Sequence, residues 1–340
     1  MNTLHLTDSP DDIRTAADFL RQGLLVAIPT ETVYGLAADA RNADAVAAIF
    51  EAKGRPQDNP LIVHIGQPDQ LSPLVTQVSP TAQALIDAFW PGPLTLIFPR
   101  SNAVAPNVSG GLSTLAVRFP VHPVARRIIN ESGCPLAAPS ANRSGSPSPT
   151  TAAHVAHDLD GRIAAIVDGG ACEVGVESTV VDVTGTVPRI LRPGRVTAEM
   201  IRKVAGAVEV DDAVTKPLRE GAVAASPGMK YKHYAPAARV ILLDGSPEQI
   251  AAYVNAHAGD GVWALCFDGE QEELRVPTLT YGRRDDDTAQ AEHVFDALRR
   301  ADEVGARVLY TSCPARDGVG LAVYNRLLRA AAFEVISLEE

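Results

Sequence analysis

Aromatic residues are scarce in this chain, 5% of 340 residues, and cysteine occurs only four times. Cys134, Cys172, Cys266 and Cys313 form no CxxC pair and no Cys/His spacing suited to zinc. A disulfide framework or a structural metal knuckle is therefore not expected, and each cysteine reads as an independent reduced thiol. Long apolar runs are missing too: none approaches the roughly 20 residues that a membrane helix needs. The opening MNTLHLTDSPDD lacks the basic and apolar regions of a signal peptide, so a cytoplasmic protein with no membrane segment is expected. Positive charge is in deficit as well. The net charge is −11, and from Ala237 onward 10 arginines face 18 acids, against 20 cations and 23 acids before it. An acidic C-terminal region argues against wrapping RNA over the whole surface. The near-neutral first part can still gather cations in one groove.

A length of 340 residues suits two domains. Hydrophobic and charged fractions of 46% and 21% are those of a globular chain. No internal repeat is present. Two composition breaks stand out: the loop-like Ser140–Thr150, SANRSGSPSPT, and the weakly periodic Asp211–Pro236, which ends in a basic and aromatic cluster. Ahead of the second break, apolar runs alternate with helical patterns. Strands are expected at Leu24–Pro29, Leu61–Ile65, Leu94–Phe98, Leu115–Phe119, Ala164–Val167 and Thr179–Val183, with helices at Asp44–Ala52, Thr81–Trp90 and Pro123–Ser132. After the second break, strands are expected at Val240–Leu243 and Val262–Phe267, and helices near Pro247–His257, Asp287–Arg300 and Gly320–Ala332. The alternation implies α/β layers in both domains.

Several segments carry polar groups where α/β sheets place ligands. Pro29–Asp39, PTETVYGLAAD, bunches Thr30, Glu31, Thr32 and Tyr34 at a strand end; a plain helix-capping turn explains the same residues. Lys53–His64, KGRPQDNPLIVH, sets Lys53 and Arg55 around a glycine, a point charge beside a planar fork, with Asn59 and His64 following. That pairing suits phosphate oxygens, and a solvated basic loop is its rival. The WPGPLTL corner at Trp90–Leu96 reads as mainly structural. Arg118 lies in an apolar strand, TLAVRFP, and needs an anion there, either a ligand carboxylate or an internal acid. Ala137–Ser148 combines small residues with the donors Ser140, Asn142, Ser144 and Ser148, but it is neither GxxxxGK[ST] nor GxGxxG. VESTVVDV and ILRPGR add Ser178, Arg192 and Arg195. The segment SPGMKYKHYAP interleaves rings with lysines and fits either a weak RNA contact or a lid over a nucleotide.

Taken together, PTETVYGL, KGRPQDNPL, WPGPLT, AVRFP, PSAN, ESTVVD, LRPG and SPGMKYKHYAP resemble the YrdC-like threonylcarbamoyl-AMP synthases, in the long form with an extra C-terminal domain. The motifs run in the family's order from Pro29 to Pro236, and YNRLLRAA is the most family-like piece beyond them. Gly54 departs from the pattern, since many relatives carry a second basic residue there. The resemblance implies an α/β fold: a twisted mixed sheet with helices, followed by a smaller Rossmann-like α/β domain. The expected division is 1–210 catalytic, 211–236 linker or lid, and 237–340 C-terminal.

The implied activity is that of a nucleotidyltransferase. It condenses L-threonine, bicarbonate and ATP, with Mg²⁺, into threonylcarbamoyl-AMP and pyrophosphate. A downstream tRNA threonylcarbamoyl-transferase complex would use the product to modify ANN-decoding tRNAs. By the same resemblance Thr32, His64, Arg118, Ala138 and Ser178 are threonine contacts. Lys53, Arg55, Asn59, Thr114, Ser140, Asn142, Ser148, Arg192, Tyr231 and Tyr234 are ATP contacts, with Lys53 and Arg55 the candidate catalytic pair. No side chain presents itself as a covalent nucleophile, so positioning and charge stabilisation would carry the reaction. Two other classes use similar residues. An RNA-binding protein would bind without ATP turnover, and a hydrogenase-maturation carbamoyltransferase would bring zinc-finger CxxC pairs, which are absent here.

Overall fold

The computed structural model describes residues 2–218, Ser226 and 233–338. They divide into two compact units, one built on residues 2–144, 148–214, 218 and 226, the other on 233–338 together with 145–147 and 215–217. The short excursion at 145–147 is invisible to a division made by position along the chain.

The first unit is organised by one mixed sheet. Its strands, in spatial order, are Leu4–Leu6, Ala165–Val167, Val26–Ile28, Gly35–Asp39, Leu136–Ala137, Ile62–His64, Thr114–Arg118, Leu94–Pro99, Thr179–Asp182, Arg189–Arg192 and Glu209–Val210. Strand side chains alternate between faces, and the core divides accordingly. Val63, Val117, Leu96 and Val181 point to one face and pack with the helices Ala43–Lys53 and Pro80–Phe89. Val26, Ile28 and Leu136 point to the other and are covered by Pro10–Arg21 and Pro123–Ser132 through Ile13, Leu20, Ile128 and Ile129. Further along that second face, Ile62, Ile97, Ala116, Val180 and Leu191 are joined by Ala213 and partly buried Leu218, and this small cluster contains no α-helical residue among the described ones.

Most expected elements form within a residue or two of their sequence limits. Caps explain the boundaries. Asn42 accepts from the N–H groups of Asp44 and Ala45, and Ser79 from Ala82, so both helices start where a short polar side chain meets the free donors. Gly133 ends Pro123–Ser132 in the left-handed region, φ +65°, as expected. Gly54 does the same for Ala43–Lys53 at φ +64°. A glycine in place of a second basic residue therefore supplies the turn that sends Lys53 and Arg55 in different directions. One expectation changes: Gly35–Asp39 is not the small-residue tail of a polar motif but a buried strand. Its lack of β-branched residues hides it, and its small side chains allow Gly35 to lie close to the Cβ of Ala138.

The second unit has five strands, all parallel, in the order Thr278–Thr280, Val262–Cys266, Val308–Ser312, Arg239–Asp244 and Val335–Ser337. Helices Pro247–Ala256, Asp287–Glu303 and Gly320–Ala330 lie between strands in the chain, as crossovers between parallel strands require. Ser246 and Gln249 start the first of these helices with a reciprocal capping box. The Rossmann-like α/β expectation describes this sheet. No helix among the described residues is long and apolar enough to cross a membrane.

Candidate active site

Strand register assembles the site. His64 is opposite Arg118, Arg118 is opposite Thr95, Thr95 is opposite Val180, and Val180 is opposite Arg192. Neighbouring strands lie roughly 4.8 Å apart, so four polar residues and one valine form a single row across the half-face that carries the small cluster of Ile62, Ala116 and Leu191. The residues two positions earlier on the first two strands, Ile62 and Ala116, pair with each other and with Ile97 in a parallel apolar row. Thr114 stands one step further along, paired with Pro99, at the other end of the strand from Arg118. Alternation thus distributes polar groups to the two ends of one face, with apolar contact surface between them.

Each member of the polar row is buried and already oriented. Arg118 is 4% exposed. Its Nη1 donates to the Thr32 hydroxyl at 2.7 Å, its Nε to the Gly92 carbonyl at 3.4 Å, and its Nη2 lies 2.6 Å from a Glu31 carboxylate oxygen. Of the two partners considered from sequence for this arginine, the internal acid is present as Glu31, and a hydroxyl from the PTETVYGL turn shares the guanidinium. His64 sits with Nδ1 3.3 Å from the Ile62 carbonyl. Burial first, then the charges of Arg118 and Arg192, push its pKa down to about 3, so the imidazole is neutral at ordinary pH. Ser178 Oγ lies 2.7 Å from Thr95 Oγ1, and Arg192 donates to both the hydroxyl (3.2 Å) and the carbonyl (3.1 Å) of Ser178. Gly194 permits the close passage of this loop, since a Cβ there would lie 2.5 Å from the Thr179 nitrogen.

The second group lines the loops at one side of the row. Lys53, buried at the end of its helix, donates through Nζ to the carbonyls of Ser140 and Asn142. Ser140 donates to the Asn142 side chain, whose amide nitrogen in turn reaches the Arg143 carbonyl. The PSAN loop is therefore clamped by a lysine, with Ala141 N–H bound to the Tyr34 carbonyl and Ser144 N–H to that of Lys53. Arg55 donates to the Pro60 carbonyl at 3.1 Å, and Ser148 donates to the buried Glu177 carboxylate. Asn59 is 1% exposed, and neither end of its amide has a hydrogen-bond partner among the described residues. A buried amide left this way is costly, and such a group marks a place where a ligand supplies the missing bonds.

Two further expected contacts have the following neighbours. The Ala138 N–H is spent on the Ile62 carbonyl at 3.0 Å, because the chain here still pairs with the neighbouring strand. Tyr234 belongs to the second unit, where its ring packs 5.3 Å from Phe295 and 5.7 Å from the Arg326 guanidinium. Within the segment 226–236 expected as a single lid, Ser226 groups with the first unit and His233 and Tyr234 with the second, and all three are buried. Tyr231, Lys230 and Lys232 lie outside the described residues. Sequence reasoning missed Thr95 as a member of the row and Glu31 as the partner of Arg118. The signal for Thr95 was available: a lone hydroxyl inside the otherwise apolar strand LTLIFP.

Residues 18–194 match a family model described as telomere recombination, and residues 196–332 one described as the threonylcarbamoyl-AMP synthase C-terminal domain. The threonylcarbamoyl-AMP synthase of Bacillus subtilis (strain 168) is 47% identical over 343 residues, covering 98% of this chain and 97% of that protein. This chain belongs to the threonylcarbamoyl-AMP synthases. Their namesake from Pyrococcus abyssi (strain GE5 / Orsay) is 44% identical over 335 residues, 96% of each chain. A crystal structure of P. abyssi Sua5 complexed with L-threonine superposes with a TM-score of 0.91 over 99% of both chains at 42% identity. As a member of these synthases, the chain is an enzyme that makes an AMP-linked threonylcarbamoyl intermediate for tRNA modification.

Proposed function

We propose that the polar row and the loops beside it divide the labour of this synthesis, the His64, Arg118 and Thr95 part of the row taking L-threonine and its Arg192 end, with the loops, taking ATP. The row carries the reading: His64, Arg118 and Thr95 adjacent in register, with Thr32 and Ser178 on their flanks, offer one cation amid hydroxyls and a neutral imidazole. That set matches an amino-acid carboxylate and a short side chain bearing a hydroxyl, and the related structure with L-threonine bound supports it. Arg118 supplies the planar donor fork for the carboxylate. Uncharged His64 can accept from or donate to threonine without drawing the triphosphate into the amino-acid pocket.

The overall reaction joins the threonine nitrogen to the carbon of bicarbonate with loss of water. An oxygen of the resulting carbamate then displaces pyrophosphate from the α-phosphorus of ATP. The protein's part is to hold both substrates together, exclude water from the labile carbamate and stabilise charge on the phosphoryl oxygens. Asn59, Thr114, Ser140, Asn142, Ser148 and Arg192 are the proposed ATP contacts, with Arg55 at the phosphates. Lys53 acts chiefly by fixing the backbone of Ser140–Asn142, since its ammonium is directed at those carbonyls.

Magnesium fits as a passenger on the triphosphate. No group of three His, Cys, Asp or Glu side chains gathers among the described residues, and magnesium commonly keeps several waters beside its phosphate ligands. There it would neutralise charge on the phosphate oxygens. The product would pass to a downstream transferase complex acting on tRNA. Purified protein incubated with labelled bicarbonate, threonine and ATP should yield threonylcarbamoyl-AMP and pyrophosphate in equal amounts. Pyrophosphate release without threonine, or none at all, would sink the proposal.

A further inference from the structure

We infer that Glu31 is a positioning residue that holds Arg118 for a carboxylate and keeps stronger anions away from it; this rests on the amino-acid reading of the polar row. Glu31 and Arg118 are both 4% exposed and meet as an ion pair at 2.6 Å. Neither carboxylate oxygen of Glu31, nor Nη2 of Arg118, has an aligned hydrogen bond among the described residues. Charge, and not a geometrically locked bidentate bond, joins them.

The Glu31 backbone is fixed independently of that pairing. Thr30 Oγ1 accepts from the N–H groups of Thr32 and Val33 and donates to the Val33 carbonyl, closing the turn, while Val174 N–H donates to the Glu31 carbonyl. The carboxylate therefore stands on a rigid turn, and the guanidinium is held from three directions, by Glu31, Thr32 and the Gly92 carbonyl. Its poorly aligned Nη2 protons remain the ones an incoming carboxylate can take.

Charge explains why such a pair suits this pocket. The reaction brings together two anions of different strength, an amino-acid carboxylate and a triphosphate. Arg118 and Arg192 are close enough to His64 for both to disfavour its protonation. An arginine without a counter-charge would attract phosphate groups as readily as a carboxylate. With Glu31 beside it, the Arg118 end of the row has no net charge before binding. A singly charged carboxylate bound there leaves one negative charge, whereas the multiply charged triphosphate would leave several in a dry site. Glu31 thereby sorts the two substrates to their own ends of the site.

The test compares Glu31→Gln, which keeps the shape and removes the charge, with Glu31→Asp, which keeps the charge on a shorter arm. Threonine binding is measured by calorimetry with and without added inorganic phosphate, alongside thermal unfolding. For Glu31→Gln, threonine affinity should fall roughly tenfold, and phosphate, without effect on the wild type, should now compete with threonine. Glu31→Asp should bind threonine with intermediate affinity and resist phosphate. A folded Gln variant that binds threonine within about twofold of wild type and ignores phosphate would overturn the assignment. If Glu31→Gln does not fold, a folded Glu31→Asp variant that binds threonine with wild-type affinity overturns it as well. Wild-type protein that binds no threonine would overturn both this inference and the functional reading beneath it.

Discussion

Both units of this protein bury arginines, and they do so for different ends. In the first, Arg118 and Arg192 sit on strands, in a row with hydroxyls and an imidazole. In the second, Arg299, Arg326 and Arg329 sit on the helices Asp287–Glu303 and Gly320–Ala330. There Arg326 lies over the Tyr234 ring, Arg329 over the Phe333 ring, and Arg299 donates to the Pro147 carbonyl. Flat guanidinium faces against aromatic rings are packing. A guanidinium edge shared among a carboxylate, the Thr32 hydroxyl and a backbone carbonyl is, on our proposal, a recognition device. Burial alone does not separate the two cases; the chemistry and alignment of the neighbours do. Exposed arginines of the second unit, such as Arg283 with Asp285 and Arg284 with Glu270, form surface ion pairs, which typically contribute little.

The comparison breaks most directly if the two kinds of arginine are exchanged in effect. Arg326→Ala truncates a large, fully buried side chain and should cost about 3–5 kcal/mol of stability, as large-to-small core changes do. Threonine binding by whatever remains folded should be near normal. Arg118→Ala should leave a folded protein that still binds ATP but loses about 2–5 kcal/mol of transition-state binding, read as kcat/KM for threonine. If Arg118→Ala merely unfolds the chain, or Arg326→Ala abolishes threonine binding in a folded protein, the distinction fails.

A smaller effect should separate the two ends of the site. Asn59→Ala removes a buried amide that lacks partners among the described residues, so the fold should lose little, while affinity for a non-hydrolysable ATP analogue should fall by about 1–3 kcal/mol. Calorimetry should find threonine affinity unchanged. Lys53→Met is expected to differ in kind. By freeing the Ser140–Asn142 carbonyls it should raise backbone hydrogen exchange in that loop as well as weaken the analogue. Unaltered exchange with weakened binding would make Lys53 a direct phosphate ligand.

At neutral pH the smallest effect is that of His64, which grows only on acidification. His64 is neutral in the folded protein, its pKa lowered from 6.5 to about 3 chiefly by burial. The unfolded chain takes up the proton first as pH falls, so stability should decline from about pH 6.5 downward and the penalty should level off only near pH 3. A His64→Asn variant should show a shallower decline across that window. An imidazole that titrates near 6.5 in NMR spectra of the folded protein would contradict its buried, neutral placement.

Much of the site's raw material is legible in the sequence. The helix limits follow from Asn42, Ser79, Gly54 and Gly133, and Arg118 stands out as a cation in an apolar strand. Legibility is poorest where residue type and structure part company. Gly35–Asp39 is a strand without strand-like residues, because its small side chains serve close packing against Pro139 and Ala138. Segment 226–236 looks uniform by composition, yet its described residues go to different units.

What the sequence determined alone was local: which residues alternate along a strand, where a helix can begin, and where only glycine can turn. Alternation placed Thr114, Ala116 and Arg118 on one face whatever their neighbours. That His64, Thr95 and Arg192 stand beside Arg118, and that Glu31 is its counter-charge, was decided by tertiary structure. Adjacency across a sheet depends on the register between strands distant in sequence, and that register follows from how both faces of the whole sheet are packed.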